Sequence, residues 1–297
     1  MNKNTIAIAL IAAAASAQGN SANAPGRDPD FMEWVSNNNK SFKNSEDMKK
    51  REANFNASFF KVQDLRRRYP NTQFSLNAYS DLDQDEWEAM RGLDESILGN
   101  RRLQADDSSQ GRHLQTIAPS IDWLATEHVG AVKNQGQCGS CWAFNSTTVL
   151  EAKKSIKDTA DTGAFVAPQR LSEQEAVDCS TSYGNGGCNG GWPSNYWNYA
   201  RDNGAVNYDN YPYTGLDETC KQTGSIPVET TVEAWNWVGQ NDQVIANALQ
   251  EGPLSIAVMV EGDAWRFYSG GVMATDECVT DGVNHALVLV AYENGDP

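Results

Sequence analysis

The chain has 297 residues and a formal net charge of −16, long enough for one or two domains with an ample core. The charge is uneven: residues 18–116 carry 14 Lys and Arg against 16 Asp and Glu, whereas residues 117–297 carry 8 against 23. A surface that acidic argues against nucleic acid or an anionic membrane as partner, and it suits either an acidic compartment or solubility alone.

Residues 1–17 read as a secretory signal peptide that lies outside the fold. Lys3 supplies a positive start, Ile6 to Ala15 an apolar run too short to span a bilayer, and Ala15-Ser16-Ala17 a small-x-small cleavage site. No other stretch approaches ~20 apolar residues, so a soluble mature protein is expected. From Phe31 to Leu93 the chain is charged and helical in pattern. Asp47, Arg51, Phe55, Ser58, Val62 and Arg66 fall on one stripe of a single helix, which Pro70 stops. On its own that stripe describes an ordinary amphipathic helix. Gln73 to Leu76 reads as an extended piece, followed by Asn77-Ala78-Tyr79-Ser80-Asp81 and a second helix over residues 83–91. Residues 94–116, with Arg101-Arg102, Asp106-Asp107 and Gly111-Arg112, read as an exposed linker open to proteolysis.

Residues 135–144, Gln-Gly-Gln-Cys-Gly-Ser-Cys-Trp-Ala-Phe, carry the strongest chemical signal. Cys141 follows a Gly-Ser turn and opens a stretch that reads as a helix. A thiol there meets the positive end of the dipole and unpaired backbone N–H groups, which favour the nucleophilic thiolate. Gln135 can swing a side-chain amide toward the same spot. Cys138-Gly-Ser-Cys141 is also a C-x-x-C, which fits a redox dithiol or half of a zinc site. The flanking Gln135 and Trp142-Ala143-Phe144 favour the nucleophile. A thioredoxin-type site places Trp before its first cysteine, whereas Trp142 follows the second.

Of three histidines, His113 lies in the linker and His128 in a polar stretch. His285 stands at the mouth of Ala286-Leu-Val-Leu-Val-Ala291, a buried-strand pattern that holds a side chain rigidly, 144 residues after Cys141. Between them runs Gly187-Cys188-Asn189-Gly190-Gly191-Trp192-Pro193. Glycine is needed where an extended peptide lies against backbone.

Together these segments resemble the papain-like cysteine proteases of the cathepsin L type. Gln135–Phe144 resembles that family's nucleophile region, Pro119-Ser-Ile-Asp122-Trp123 its mature N-terminus, and Asn284-His285-Ala286 its catalytic Asn/Asp-His-Ala segment. The helical stripe matches the family's propeptide helix at Arg51 and Phe55, conservatively at Asp47 and Val62, and departs from it at Ser58 and Arg66. Asn77-Ala-Tyr79-Ser-Asp81 matches Asn-x-Phe-x-Asp with Phe changed to Tyr.

The resemblance implies an α+β fold of two lobes, a helical one carrying Cys141 and an antiparallel β-barrel carrying His285, with a cleft between. It implies a signal peptide over 1–17, a helical inhibitory propeptide over 18–116 that runs through the cleft, and a peptidase domain over 117–297. The maturation cut would fall between Arg112 and Ile117. His285 and Cys141 would form an imidazolium–thiolate pair, with Gln135 and the Cys141 N–H holding the oxyanion. Gly190, Gly191 and Asn284 would help bind the substrate, Gly191 by backbone pairing. Trp192, Pro193, Ala257, Val283 and Ala286 would line a pocket for a hydrophobic or aromatic side chain two residues before the cut. The implied disulfides are Cys138–Cys188 and Cys179–Cys220, which leaves Cys278 to pair beyond Pro297.

The chain between Cys188 and Cys220 lacks the insertion with which exopeptidase relatives block the cleft, which implies an endopeptidase. Polypeptide substrates, the propeptide as intramolecular inhibitor, a monomer, no cofactor and no metal are implied as well, with a place in the secretory pathway, lysosome or extracellular space. The family's imidazole is oriented by an Asn further along, as Asp orients it in the serine triad. Twelve residues follow His285, so that Asn and the closing strands are expected beyond Pro297. The 297-residue form is then expected to fold poorly and turn over little peptide. The alternative is an impaired form acting as a propeptide-type protease inhibitor or binding protein. Sequons stand at Asn39, Asn56 and Asn145; Asn145, on the nucleophile's helix, is expected to carry no glycan.

Overall fold

The computed structural model describes residues 7–10, 28–93, 120–222, 224–239, 241–273 and 282–293. The signal-peptide cleavage site, the linker over 94–116 and Cys278 lie outside the described residues. A first strand, β1 (Ala7–Leu10), pairs antiparallel with the last strand of the chain. The sequence reading leaves residues 1–17 outside the fold; the backbone of these four instead meets a sheet edge whose unpaired groups it satisfies.

The N-terminal unit consists of α1 (Phe31–Asn37), α2 (Ser45–Arg68), β2 (Thr72–Phe74) and α3 (Gln84–Glu88). The Asn44 side chain accepts from the backbone of Glu46 and Asp47 to open α2, and Arg66, Arg67 and Arg68 complement its C-terminal dipole just before Pro70. Phe55, Ser58 and Val62 of the predicted stripe are buried, and Arg51 and Arg66 reach Glu86 and Asp28. Phe31, Trp34 and Phe55 form an aromatic cluster, and the Trp34 indole donates to Asn77 O at 2.9 Å. A reciprocal capping box of Asp83 and Glu86 opens α3. This helix is shorter than predicted because Met90 O, Gly92 O and Leu93 N–H are all bonded across to the rest of the molecule.

The C-terminal unit runs through β3 (Ser120–Asp122), α4 (Cys141–Thr162), α5 (Glu173–Cys179), α6 (Pro193–Asn203), β4 (Ala205–Val206), β5 (Val228–Thr230), α7 (Asp242–Leu249), β6 (Leu254–Val258), α8 (Gly262–Phe267), β7 (Tyr268–Gly271) and β8 (His285–Glu293). Helices α4, α5 and α6 enclose a core around Trp142, Leu171, Tyr196 and Tyr199. β1 and β3 flank β8, and β6 pairs with its first half, Val258 opposite His285, all antiparallel. Among the described residues this sheet stays open and does not close into the expected barrel. β7 pairs with β2 of the N-terminal unit rather than with that sheet. Around this junction Val62, Leu65 and Phe74 share an apolar cluster with Ala264 and Phe267, and Lys61 meets Asp263 at 2.9 Å. Disulfides join Cys138 to Cys188 and Cys179 to Cys220, the pairs implied by the resemblance. No described helix is long and apolar enough to cross a membrane.

α2 and α3 are joined by Arg51, whose two terminal nitrogens each lie 2.7 Å from a Glu86 oxygen. Burial pushes the Glu86 carboxyl up, but Arg51 and the Asp83 backbone N–H outweigh it and hold the group below its ordinary 4.5. Its contribution is therefore full above about pH 4.5 and is lost as pH falls through the lower folded value. Acid titration followed by tryptophan fluorescence should show the N-terminal unit loosening in that range. Glu86→Gln should lower the melting temperature at pH 7 and flatten the acid limb; an unchanged limb would remove Glu86 from this role.

Candidate active site

Cys141 is the first residue of α4, behind Ser140, which provides no side-chain cap. The turn before it is held from several sides. Cys138 is bonded to Cys188, Tyr213 donates its hydroxyl proton to Gln135 O at 2.8 Å, and Ser140 Oγ lies 2.7 Å from the same hydroxyl. Upstream, Lys133 meets Glu151 at 2.6 Å and the fully buried Glu173 at 2.7 Å. Removing that ammonium would leave the buried Glu151 without a cation and Glu173 with Arg170 alone, at 3.3 Å, at a cost of roughly 3–5 kcal/mol.

His285 opens β8, and Asn284 before it is pinned to Val260, accepting at 2.8 Å from its N–H and donating at 3.1 Å to its carbonyl. The two lobes meet where α4 packs on β8: Asn145 donates to Leu287 O and accepts from Ser255 Oγ at 2.5 Å. As a result the Ala286 N–H, next to His285, points at the Cys141 sulfur. With Asn145 buried and its amide committed, a glycan has no place there.

Residues 90–93 of the N-terminal unit cross this site. The Gln135 amide donates to Met90 O at 2.7 Å and to Cys138 O at 2.9 Å. Gly92 lies so close to Gly139 that an added Cβ would sit 1.6 Å from Gly139 O. The Gly191 N–H donates to Gly92 O at 2.9 Å, and Leu93 pairs in parallel with Gly191. Gly191 has no room for a side chain either: a Cβ would fall 2.6 Å from Asn185 Oδ1 and 2.7 Å from the Trp142 ring. Gly190 takes φ 118°, open to glycine alone.

Leu93 shares the apolar cluster of Cys141, Trp192 and Ala286, with Val283 packed at its margin, and its N–H bonds to Asn284 O at 3.1 Å. Two of the expected pocket residues stand apart from that cluster. Pro193 starts α6, and Ala257, opposite Ala286 on β6, is exposed.

The cover sets the protonation states. Burial pushes the Cys141 thiol up to about 11 despite the N–H groups of Ala286, Gly92 and Trp142 aimed at it. Burial and then the nearby Arg91 guanidinium lower His285 to about 4. Under the cover Cys141 is a neutral thiol and His285 a neutral imidazole whose Nδ1 has no hydrogen-bond partner among the described residues, because desolvation here exceeds the helix-dipole effect. With Cys138 in a disulfide, Cys141 has no dithiol partner at C-x-x-C spacing. His128 is structural: its Nδ1 lies 2.8 Å from Ser155 Oγ, and its ring packs on Trp123 and Phe165. Among the described residues no group of three His, Cys, Asp or Glu side chains could hold a metal ion.

Sequence reasoning missed Met90, Gly92, Tyr213 and Asn185, which bonds the Trp192 N–H through its side chain at 2.7 Å. Only Gly92, a glycine closing a helical stretch, left a signal that could have been followed.

The mixed helix-and-sheet fold thus sets a thiol at a helix start and a histidine at a strand start beneath the chain's own N-terminal segment. Residues 117–296 match the family described as papain family cysteine protease, and the chain belongs to that family. It is 36% identical over 230 residues to cathepsin L1 of Drosophila melanogaster, covering 74% of this chain and 59% of that protein. Over 220 residues it is 36% identical to cathepsin L 2 of Paramecium tetraurelia, covering 73% and 64%. The chain therefore spans less than two thirds of these relatives. Among solved structures, digestive procathepsin L 3 from the larval midgut of Tenebrio molitor superposes with a TM-score of 0.75 at 27% identity, covering 88% of this chain and 83% of that one.

The crossing of Gly92 over Gly139 admits no side chain. Gly92→Ala should lift residues 90–93 off the thiol and speed iodoacetamide labelling of Cys141 at neutral pH at least tenfold, a pKa fall of one unit sufficing for that. Labelling as slow as in the unaltered chain would show that the crossing does not control access.

Proposed function

We propose that this chain is the precursor of a cysteine endopeptidase, kept latent by its own N-terminal unit. In this reading residues 1–17 direct it into the secretory pathway, toward the lysosome or the cell exterior, and are removed. Residues 18–116 form the propeptide and residues 117–297 belong to the peptidase domain, with the maturation cut between Arg112 and Ile117. The observation that supports it best is the segment Met90–Leu93, whose groups engage Gln135, the Gly139–Cys141 turn and Gly191 together.

Acid weakens the carboxylate contacts of the N-terminal unit, and the segment leaves. Water then reaches the thiol, the Arg91 charge is gone, and both causes that hold Cys141 and His285 neutral are removed. The α4 N-terminus and the Ala286 N–H favour thiolate, and His285 takes up the proton. The thiolate attacks a peptide carbonyl, and the oxyanion is held by the Gln135 amide, released from Met90 O, and by the Cys141 N–H. His285 protonates the leaving amine, and water hydrolyses the acyl-enzyme. The site vacated by Leu93, with Trp192, Ala286 and Val283 around it, favours a bulky apolar residue two positions before the cut.

Three measurements test this. After incubation at about pH 4–5, where unperturbed carboxylates titrate, the chain should be cut between residues 100 and 117, and Cys141→Ala should remain intact. Peptidyl electrophiles should label Cys141 faster with Leu or Phe than with Lys at the second position. Equal labelling would remove the assigned pocket, and an unlabelled acid-treated thiol would remove the enzyme. Gln135→Ala should lower turnover by about 10²–10³ while labelling persists.

A further inference from the structure

Four buried side-chain nitrogens, Trp87 Nε1, Trp265 Nε1, Arg266 Nε and His285 Nδ1, have no hydrogen-bond partner among the described residues. All four line one cavity, which also reaches Gln135. Indole and guanidinium N–H groups only donate, so three of the four lack an acceptor. No Asp or Glu lines it, in a part of the chain where acidic side chains outnumber basic ones 23 to 8. Trp265 and Arg266 are more than nine-tenths buried.

Arg266 is compensated in an unusual way. Its Nη2 donates at 2.7 Å to Tyr79 O and at 2.7 Å to Leu82 O, and its guanidinium lies 5.8 Å from the Trp87 ring centroid. All of these groups belong to the N-terminal unit; the Phe267 ring, 5.1 Å from the guanidinium, is the contact that the C-terminal unit supplies. No carboxylate lies within ion-pair distance of the guanidinium among the described residues, and burial makes its charge harder to hold. When that unit leaves, a cation with unmet donors remains in the wall of the cleft.

The path of the covering segment tells on which side of the thiol this cation stands. Tyr79 and Leu82 lie on Arg266, Met90 on Gln135, Gly92 on Gly139, and Leu93 on Gly191. Arg266 and Gly191 are thus at opposite ends of the crossing, with Cys141 between. In the peptidase reading Gly191 receives the acyl side of the substrate, which leaves Arg266 to the departing side.

We propose that Arg266, with the Trp265 indole beside it, is a carboxylate-binding determinant for the residues just after the scissile bond. The enzyme favours Asp or Glu there over neutral or basic residues. The inference rests on the peptidase reading above. One group of the mature part competes: Asp263, one turn earlier on α8, loses Lys61 with the N-terminal unit and is free to turn toward Arg266.

The test uses the acid-processed chain and quenched fluorescent peptides with identical acyl halves, carrying Glu, Gln or Lys at either of the two positions after the cut. A second set ends at those positions in a free carboxylate or an amide, which separates a side-chain carboxylate from a terminal one. Glu, or the free acid, should be preferred over its neutral match by about tenfold or more in kcat/KM, the range of a hydrogen bond to a charged group. Arg266→Gln should bring that ratio close to one, and Arg266→Lys should keep part of it. Equal rates for all matched pairs in the unaltered chain would overturn the proposal without recourse to any variant. So would a preference that survives in Arg266→Gln, or one that emerges only in Asp263→Asn. Labelling of Cys141 by a peptidyl electrophile, which engages the acyl side alone, separates the two readings. Labelling without carboxylate preference removes this inference only, whereas absent labelling removes the peptidase itself.

Discussion

Asn145 stands one helical turn beyond Cys141, and its buried amide ties α4 to two strands at once, giving a proton to Leu287 O and taking one from Ser255. A buried amide left half-satisfied costs about 1–3 kcal/mol, so the helix has one place to sit against the sheet. That placement brings a thiol from one lobe to the start of β8, and with it the Ala286 N–H and His285, from the other. Nearly every other feature of the site serves to keep the two ends in place. The Lys133 ion triad and Tyr213 steady the turn before Cys141, and Asn284 steadies the strand before His285.

The cover over Cys141 and His285 acts electrostatically as well as sterically. Desolvation acts in opposite directions on an acid that becomes charged by losing a proton and a base that becomes charged by gaining one. A single cover therefore disarms both Cys141 and His285, raising one and lowering the other, without touching either side chain's identity. Around the thiol and Arg266, several of the contacts to the cover are accepted by its backbone: Met90 O, Gly92 O, Tyr79 O and Leu82 O. Those positions place no demand on the side chain of the residue whose carbonyl accepts.

What the sequence revealed was what short-range patterns encode. The α2 stripe, the Pro70 stop, the start of α4 at Cys141 and the apolar run of β8 each follow from local spacing, and the structure places all four accordingly. The family's motifs carried the rest, including both disulfides. Illegible were the effects that depend on which distant segment lies on top. Nothing local in Cys141 says that it is buried under Gly92, so dipole reasoning alone pointed to thiolate. The length of α3 failed for the same reason, since residues 90–93 are drawn into contacts some fifty to two hundred positions away. Pairing of Ala7–Leu10 with β8 is likewise a matter of which edge is within reach, not of propensity.

Burial of Cys141 has a bearing on how the chain keeps its covalent frame. The thiol stands three residues from Cys138 in a molecule that must form Cys138–Cys188 and Cys179–Cys220 correctly. Thiolate at that spacing attacks a neighbouring disulfide readily, and exchange scrambles partners. Under residues 90–93 the sulfur stays protonated and out of reach of both oxidant and disulfide. In the folded chain the segment over Cys141 thus also keeps the cross-links apart from the thiol that stands beside them.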